Sequence, residues 1–267
     1  MCTSGHGSVD IANTGGVAAS VVGTAAAPGP KADPTLIDDL VTANHILFGE
    51  GVVDAFGHVS VRHDKRPDRY LLARNMAPVQ VTAADIVEFD LDGAPVDANG
   101  RAVYLERFIH GEIYRARPDV MAVVHSHSMA VLPFGLVPTF PFRAVTHMGS
   151  FIGTCAPVFE IRDVVGDDND LLITNGKLGK ALADCLGDSV VVLMRGHGST
   201  AVGSSLKEAV FRAVYTEQNA RVLSEAARLG GPITGLSEAE TRTATRVIGG
   251  QATRAWDMWR MRAEGKV

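Results

Sequence analysis

Three short apolar runs constrain the fold more than any other feature of this 267-residue sequence. They occupy residues 120–124, 170–174 and 189–194. Runs of this length, without the alternation of a half-exposed strand, are typical of strands buried on both faces, which are common in parallel sheets. Segments with helical spacing separate the runs, so the sequence predicts an α/β fold with strands covered by helices on both sides.

The remaining secondary structure follows from the spacing of apolar residues. Helical spacing predicts helices at residues 34–47, 105–117 and 205–229 and in the tail beyond Ser237, where Trp256 and Trp259 are expected to be buried. Alternation predicts strands at residues 58–62, 70–73 and 86–91. No repeat or linker interrupts this order, so we expect one domain over residues 33–267, preceded by a flexible tail over residues 1–32.

Composition excludes several classes of protein. The net charge of −5 and the pI near 6.0 argue against a nucleic-acid-binding surface, which is usually basic. The apolar runs are far shorter than the 18 or so residues of a membrane helix. The three cysteines form no CxxC pair, which favours a reducing, cytoplasmic location. A small-molecule enzyme fits this composition.

Two histidines follow the first apolar run directly. His125 and His127 are two residues apart, so on a strand their imidazoles would face the same side. A pair of hydrogen-bonded structural histidines is the alternative, and the motif alone does not decide between them. His197, between two glycines after the third run, adds a possible third ligand. Three imidazoles with an open coordination position are what a catalytic divalent cation requires.

Glu106 lies in Tyr104-Leu105-Glu106-Arg107, where the helix predicted for residues 105–117 begins. An acidic residue there can simply favour the helix dipole. Beside a metal site it can instead be a fourth ligand or a general acid/base. Zn²⁺, Mn²⁺, Fe²⁺ and Co²⁺ all accept such ligands.

Taken together, these motifs resemble the class II aldolase/adducin family. The resemblance covers about residues 35–230 and rests on Glu106, on His125-Ser-His127, on Arg195-Gly-His197-Gly and on the early strand of residues 57–62. It implies an α/β/α sandwich with a mainly antiparallel central sheet. It also implies one divalent metal ion per subunit (Mn²⁺ or Zn²⁺), and a homotetramer with active sites at subunit interfaces.

The chain departs from the sugar-phosphate aldolases of this family where they hold phosphate. Gly57-His58 replaces Gly-Asn, residues 73–76 replace a Thr-rich segment, and Tyr104-Leu105 replaces two serines. A phosphate needs several short hydrogen-bond donors, and a leucine supplies none. The segment of residues 104–111, with His58 and Arg143, is more similar to the family's decarboxylase branch. Members of that branch act on hydroxylated aromatic or pyridine dicarboxylates in catabolic pathways.

That similarity implies roles for the remaining candidates. Glu106 and His147 would transfer protons, His147 standing where the aldolases carry a tyrosine. Possible contacts to the substrate are His58, Arg74, Asn75, Arg143 and Tyr215. Arginine pairs with carboxylate through two hydrogen bonds, which favours Arg74 and Arg143 for a second carboxylate. Surface positions for the arginines, a structural role for His147 and core packing for Tyr215 remain the alternatives.

Two other functions stay open at this stage. One is a metal-dependent aldolase that cleaves a non-phosphorylated hydroxy-carbonyl substrate with the same metal and Glu106. The other is a non-catalytic binding protein of the adducin type. The adducin type lacks the metal histidines, whereas all three are present here.

Overall fold

A seven-stranded sheet forms the centre of the molecule, of which the computed structural model describes residues 29–266. Its strands are β1 (His58–Arg62), β2 (Arg69–Ala73), β3 (Ile86–Asp90), β4 (Ala122–Ser126), β5 (Val158–Phe159), β6 (Val191–Met194) and β7 (Gly198–Gly203). The spatial order is β3-β2-β1-β4-β7-β6-β5. All neighbouring pairs are antiparallel except β5 and β6. The prediction of a mainly antiparallel sheet is confirmed, and the parallel reading of the apolar runs is wrong.

Eight helices accompany the sheet in the described part of the chain. They are α1 (Pro34–Gly49), α2 (Arg107–Ala116), α3 (Leu132–Leu136), α4 (Arg162–Val165), α5 (Gly176–Leu186), α6 (Leu206–Leu229), α7 (Glu238–Ile248) and α8 (Ala252–Ala263). Helices α1, α6 and α8 pack together, while α2 packs against α5, and both groups contact the sheet. The sheet is therefore the middle layer of the predicted α/β/α sandwich.

Local sequence signals account for the ends of the main helices. Asp33 accepts a hydrogen bond from the Thr35 amide at 2.8 Å and caps α1. Ser205 caps α6 by accepting from the Glu208 amide. Such caps satisfy amides that have no partner within the helix. Helix α6 ends at Leu229 and is followed by Gly230, whose positive φ favours glycine.

The C-terminal helix is held by two buried aromatic side chains. Trp256 and Trp259 of α8 are only 1% and 2% exposed. The Trp259 ring lies 6.1 Å from that of Tyr215 and 6.4 Å from that of Phe211, both on α6. The expectation that the tryptophans bury the tail is confirmed. None of the helices within residues 29–266 is both long and apolar enough to cross a membrane.

The predicted strand at residues 170–174 is wrong. This segment has no regular structure, and Leu171 has φ +66°. Periodicity cannot distinguish a short buried strand from a buried loop, and Ile173 is buried without being in the sheet. The Ile173 amide donates to the Glu106 carboxylate at 3.0 Å, so a side chain replaces the strand partner.

Most of the predicted N-terminal tail, residues 1–28, lies outside the described residues. Residues 29–32 have no regular secondary structure and precede α1. The assignment of residues 33–267 to one domain stays a prediction.

Candidate metal centre

The end of β4 places His125 and His127 on one side of the sheet. His125 lies within β4 and pairs with His58 of β1 and with Thr200 of β7. His127 follows just after the strand ends. Because side chains alternate along a strand, both imidazoles face the same way, and their ring centroids are 5.0 Å apart.

The tight turn between β6 and β7 supplies the third imidazole. The His197 amide donates to the Met194 carbonyl at 3.0 Å. Gly196, with φ +69°, adopts the left-handed conformation that glycine tolerates. Since β7 is the neighbour of β4, the turn brings the His197 ring to 4.7 Å from the His127 ring.

Four potential ligand atoms converge at this point. The Nε2 atom of His127 lies 3.1 Å from that of His125 and 3.0 Å from that of His197. The Glu106 Oε2 atom lies 3.5 Å and 3.3 Å from the Nε2 atoms of His125 and His197. All four residues offer ligand atoms within 4.8 Å of one another. We call these four residues the metal cluster.

A backbone amide on the side away from the histidines orients the Glu106 carboxylate. It lies immediately before α2, and its Oε1 atom accepts the Ile173 amide, which leaves Oε2 facing the histidines. Burial by itself raises the pKa of Glu106, but the adjacent His125 and His197 imidazoles outweigh it and hold the pKa well below its usual range. The carboxylate is therefore ionised at neutral pH.

The metal cluster fits a divalent cation. Burial lowers the pKa of His125, and burial followed by the neighbouring imidazoles lowers that of His127 to about 4, so these rings are neutral and keep a bare nitrogen. Three Nε2 atoms and a carboxylate oxygen this close together can all point their lone pairs at one cation placed between them. Imidazole and carboxylate ligands suit ions such as Zn²⁺ and Mn²⁺.

Gly198 makes room for the turn that carries His197. A Cβ atom on Gly198 would collide with the backbone oxygen of Ser126 on β4. We expect Gly198→Ala to lower stability by roughly 1–3 kcal/mol, as overpacking does, and to lower the metal content. Urea unfolding and elemental analysis measure both. Gly249→Ala is the matched control, because nothing lies within 4 Å of that position. Equal behaviour of the two variants would contradict this role for Gly198.

His58 lies beside the metal cluster. Its ring centroid is 5.0 Å from that of His125 and 4.6 Å from that of Tyr104. Its Nδ1 atom lies 2.7 Å from the Nε2 atom of His110. Burial, with the nearby His110 and His125, lowers the pKa of His58 well below its usual value. Of the predicted substrate contacts, His58 is the one that the structure brings against a metal-cluster ring.

Arg74 and Asn75 follow the end of β2. The Arg74 Nε atom donates to Asp85 at 2.7 Å, and the side chain is about one-third exposed. Asn75 is exposed, and its backbone N–H donates to the Ala102 carbonyl. Neither belongs to the metal cluster. Their contacts to a substrate stay predictions.

Arg143 and His147 lie on a loop that α6 holds in place. The Asn219 side chain accepts from the amides of Val145 and Thr146 and donates to the Arg143 carbonyl at 2.9 Å. The Arg143 Nη2 atom donates to the Ile233 carbonyl. His147 is exposed and lines a surface depression together with residues of α7. The loop therefore presents His147 at the surface, outside the metal cluster.

Tyr215 packs within the helical layer. Its ring lies 4.6 Å from that of Phe211, and burial raises its pKa. The side chain is half-buried and does not join the metal cluster. Its contact to a substrate also stays a prediction.

A buried group of polar side chains escaped the sequence analysis. His110 and Tyr114 of α2 meet Ser60 of β1, and His110 meets His58. The signal was present in the spacing: positions 58 and 60 share a strand face, and positions 110 and 114 share a helix face. Polar residues that share one face of a strand, and others that share one face of a helix packed against it, indicate a buried hydrogen-bond network.

Comparison with known proteins defines the class. The family named Class II Aldolase and Adducin N-terminal domain matches residues 38–224. The chain belongs to this family. Its fold is similar to that of an L-fuculose 1-phosphate aldolase from Glaciozyma antarctica PI12, with a TM-score of 0.70 and 21% identity over 87% of this chain and 90% of that one.

Curated relatives are closer in sequence. Decarboxylase tropJ of Talaromyces stipitatus is 41% identical over 82% of this chain and 90% of that protein. A 3,4-dihydroxyphthalate decarboxylase of a Terrabacter species is 31% identical over 76% of this chain and 84% of that protein. With such relatives and the aldolase family match, the chain is a carbon–carbon lyase.

Proposed function

We propose that the protein is a decarboxylase of a hydroxylated aromatic or pyridine dicarboxylate in a catabolic pathway, and that it depends on one divalent cation per subunit, Mn²⁺ or Zn²⁺. The observation that carries the proposal is the convergence of His125, His127, His197 and Glu106 on one point. The decarboxylase names of the curated relatives support the choice of reaction.

The chemistry poses one electrostatic problem. Breaking the bond to the departing carboxylate leaves an electron pair on carbon, and a neighbouring oxygen must carry the charge. The three imidazoles would hold a divalent cation, which would supply Lewis acidity to stabilise that charge. The protein must also deliver a proton to the ring carbon that loses CO₂. Glu106 is our candidate for this transfer because its Oε2 atom faces the three histidines: as an ionised carboxylate it would take the proton of the ring hydroxyl and then return it to the ring carbon, and His147 is the second candidate.

An exposed aromatic side chain beside the metal cluster favours a flat ring over a polyol. Phe56 is 65% exposed, and its ring stacks on that of His127 at 6.3 Å. Leu105, directly before Glu106, is 61% exposed, and Met129, two residues after His127, is 79% exposed. An exposed aromatic ring stacked on a candidate metal ligand is suited to pack against a flat aromatic substrate.

The second carboxylate of the substrate needs a cation. Arg74 and Arg143 each use one guanidinium nitrogen in the hydrogen bonds described above. Each guanidinium therefore keeps donors for a carboxylate. We place Asn75 and Tyr215 among the further contacts. In a homotetramer with active sites at subunit interfaces, the exposed loop of Arg143 and His147 would face a neighbouring subunit, and size-exclusion chromatography with light scattering tests that assembly.

The proposed reaction is tested by product analysis. The protein, loaded with Mn²⁺ or Zn²⁺, is incubated with 3,4-dihydroxyphthalate and with 3-hydroxy-2-methylpyridine-4,5-dicarboxylate, and CO₂ release is measured. We expect CO₂ from at least one acid and none after chelation of the metal. If no hydroxylated aromatic dicarboxylate releases CO₂ with the metal-loaded protein, the proposal is contradicted. Aldehyde release from non-phosphorylated hydroxy-ketones would instead support the aldolase alternative, which uses the same metal cluster.

A further inference from the structure

A chain of buried hydrogen bonds leads from the metal cluster into the core. The His58 Nδ1 atom lies 2.7 Å from His110 Nε2, and His110 Nδ1 lies 2.6 Å from the Ser60 hydroxyl. The Ser60 oxygen lies 2.7 Å from the Tyr114 hydroxyl. All four side chains are buried. We call His58, His110, Ser60 and Tyr114 the hydrogen-bond chain.

The position of each proton in the hydrogen-bond chain follows from the hydrogen bonds of Tyr114, the residue at the end away from the metal cluster. Among the described residues, Ser60 is the only side chain that forms a hydrogen bond with the Tyr114 hydroxyl. A buried hydroxyl that cannot donate its proton destabilises the folded state, because the same hydroxyl would donate to water in the unfolded chain. Tyr114 therefore donates to Ser60, and Ser60 has its own single proton left for the Nδ1 atom of His110.

The same reasoning determines which ring nitrogen is protonated in His110 and in His58. A neutral imidazole carries one N–H, so His110, which accepts at Nδ1, carries its proton at Nε2 and donates it to the Nδ1 atom of His58. His58 must then carry its own proton at Nε2. Burial lowers the pKa of His110 to about 3, which agrees with a neutral ring. Reversing the chain would leave the Tyr114 proton without an acceptor.

The outer end of the hydrogen-bond chain lies where a ligand can reach it. The His58 ring packs between those of Tyr104 and His125. Its Nε2 atom makes no hydrogen bond within residues 29–266 and is not completely enclosed by protein atoms, although the residue as a whole is only 4% exposed. A donor with no protein partner beside a metal cluster is suited to an oxygen of a bound molecule.

We propose that His110 is a positioning residue that holds His58 as a neutral Nε2–H donor for an anionic oxygen of the substrate. This inference rests on the proposed function, in which that oxygen belongs to the carboxylate or the phenolate of the aromatic acid. A donor fixed in this orientation needs no reorganisation when charge develops on the oxygen. Ser60 and Tyr114 contribute by fixing the proton of His110.

Nitrogen NMR tests the proton positions without a substrate. The zinc-loaded protein is labelled with ¹⁵N in its nine histidines, and a His58→Gln sample assigns the His58 signals. ¹⁵N shifts distinguish a protonated from a bare ring nitrogen. We expect His58 protonated at Nε2 and bare at Nδ1. A proton at Nδ1 with a bare Nε2 would overturn the proposal. This experiment is independent of whether the protein is a decarboxylase.

Two substitutions at position 110 test the consequence for catalysis. His110→Phe removes the donor to His58, and we expect kcat for CO₂ release to fall roughly 10- to 100-fold with the metal content unchanged, the range for groups that orient a metal-site neighbour. His110→Gln keeps an amide N–H and should recover most of the rate. A purely structural role predicts equal losses in both variants, and that result would overturn the proposal.

Discussion

His125→Ala is expected to abolish both metal retention and turnover. The His125 imidazole is fully buried between His58 and the other members of the metal cluster. Because a cation supplies several kcal/mol of charge stabilisation, kcat/KM should fall by at least about 10³-fold. Elemental analysis should find less than a tenth of the metal bound by the unaltered protein.

The control for this variant is His45→Ala. His45 lies on α1, and its Nε2 atom bonds to the Val81 carbonyl at 2.9 Å, outside the metal cluster. It should keep its metal and its activity. Circular dichroism of both variants separates loss of the site from loss of the fold. A His125→Ala protein that stays folded and active would remove the basis for a metal-dependent reaction here.

Glu106→Gln is expected to keep the cation and lose most of the rate. Glutamine has nearly the same shape and can still accept the Ile173 amide, so the three histidines remain in place. It cannot accept or release a proton at Oε2. Loss of a general acid/base lowers the rate by about 10²- to 10⁴-fold. Single-turnover CO₂ release, measured together with metal content, distinguishes this from loss of the ion.

Glu112→Gln is the matched control on the same segment. Glu112 lies on α2, and its carboxylate approaches Arg115 at 3.4 Å instead of the histidines. That variant should retain near-normal turnover. Full activity in Glu106→Gln would refute its assigned role in proton transfer. Loss of the metal from Glu106→Gln would show that Glu106 serves chiefly as a ligand.

The local sequence predicted the elements that carry the metal cluster. The apolar run before His125 became β4, and the run before His197 became β6. Burial on both faces was the reliable part of that pattern, because it depends on composition alone. Strand direction was not encoded locally. It depends on connections such as the tight β6–β7 turn, and there the resemblance to a family gave the antiparallel order.

Other features depended on contacts that no local pattern contains. The run of residues 170–174 is as apolar as a strand, yet Ile173 bonds to a carboxylate 67 positions earlier in the sequence. His110 was visible as part of a motif, but its contact with His58 joins positions 52 residues apart. Arg143 and His147 depend on Asn219 of α6 for their placement. Each of these contacts arises from packing between elements.

Anomalous X-ray scattering from crystals of the metal-loaded protein tests the central claim most directly. We predict one strong peak per chain at the metal's absorption edge, about 2.0–2.2 Å from the Nε2 atoms of His125, His127 and His197. Coordination positions beside His58 should be open or filled by solvent. A peak elsewhere in the molecule, or none at this site with the metal in excess, would contradict the account.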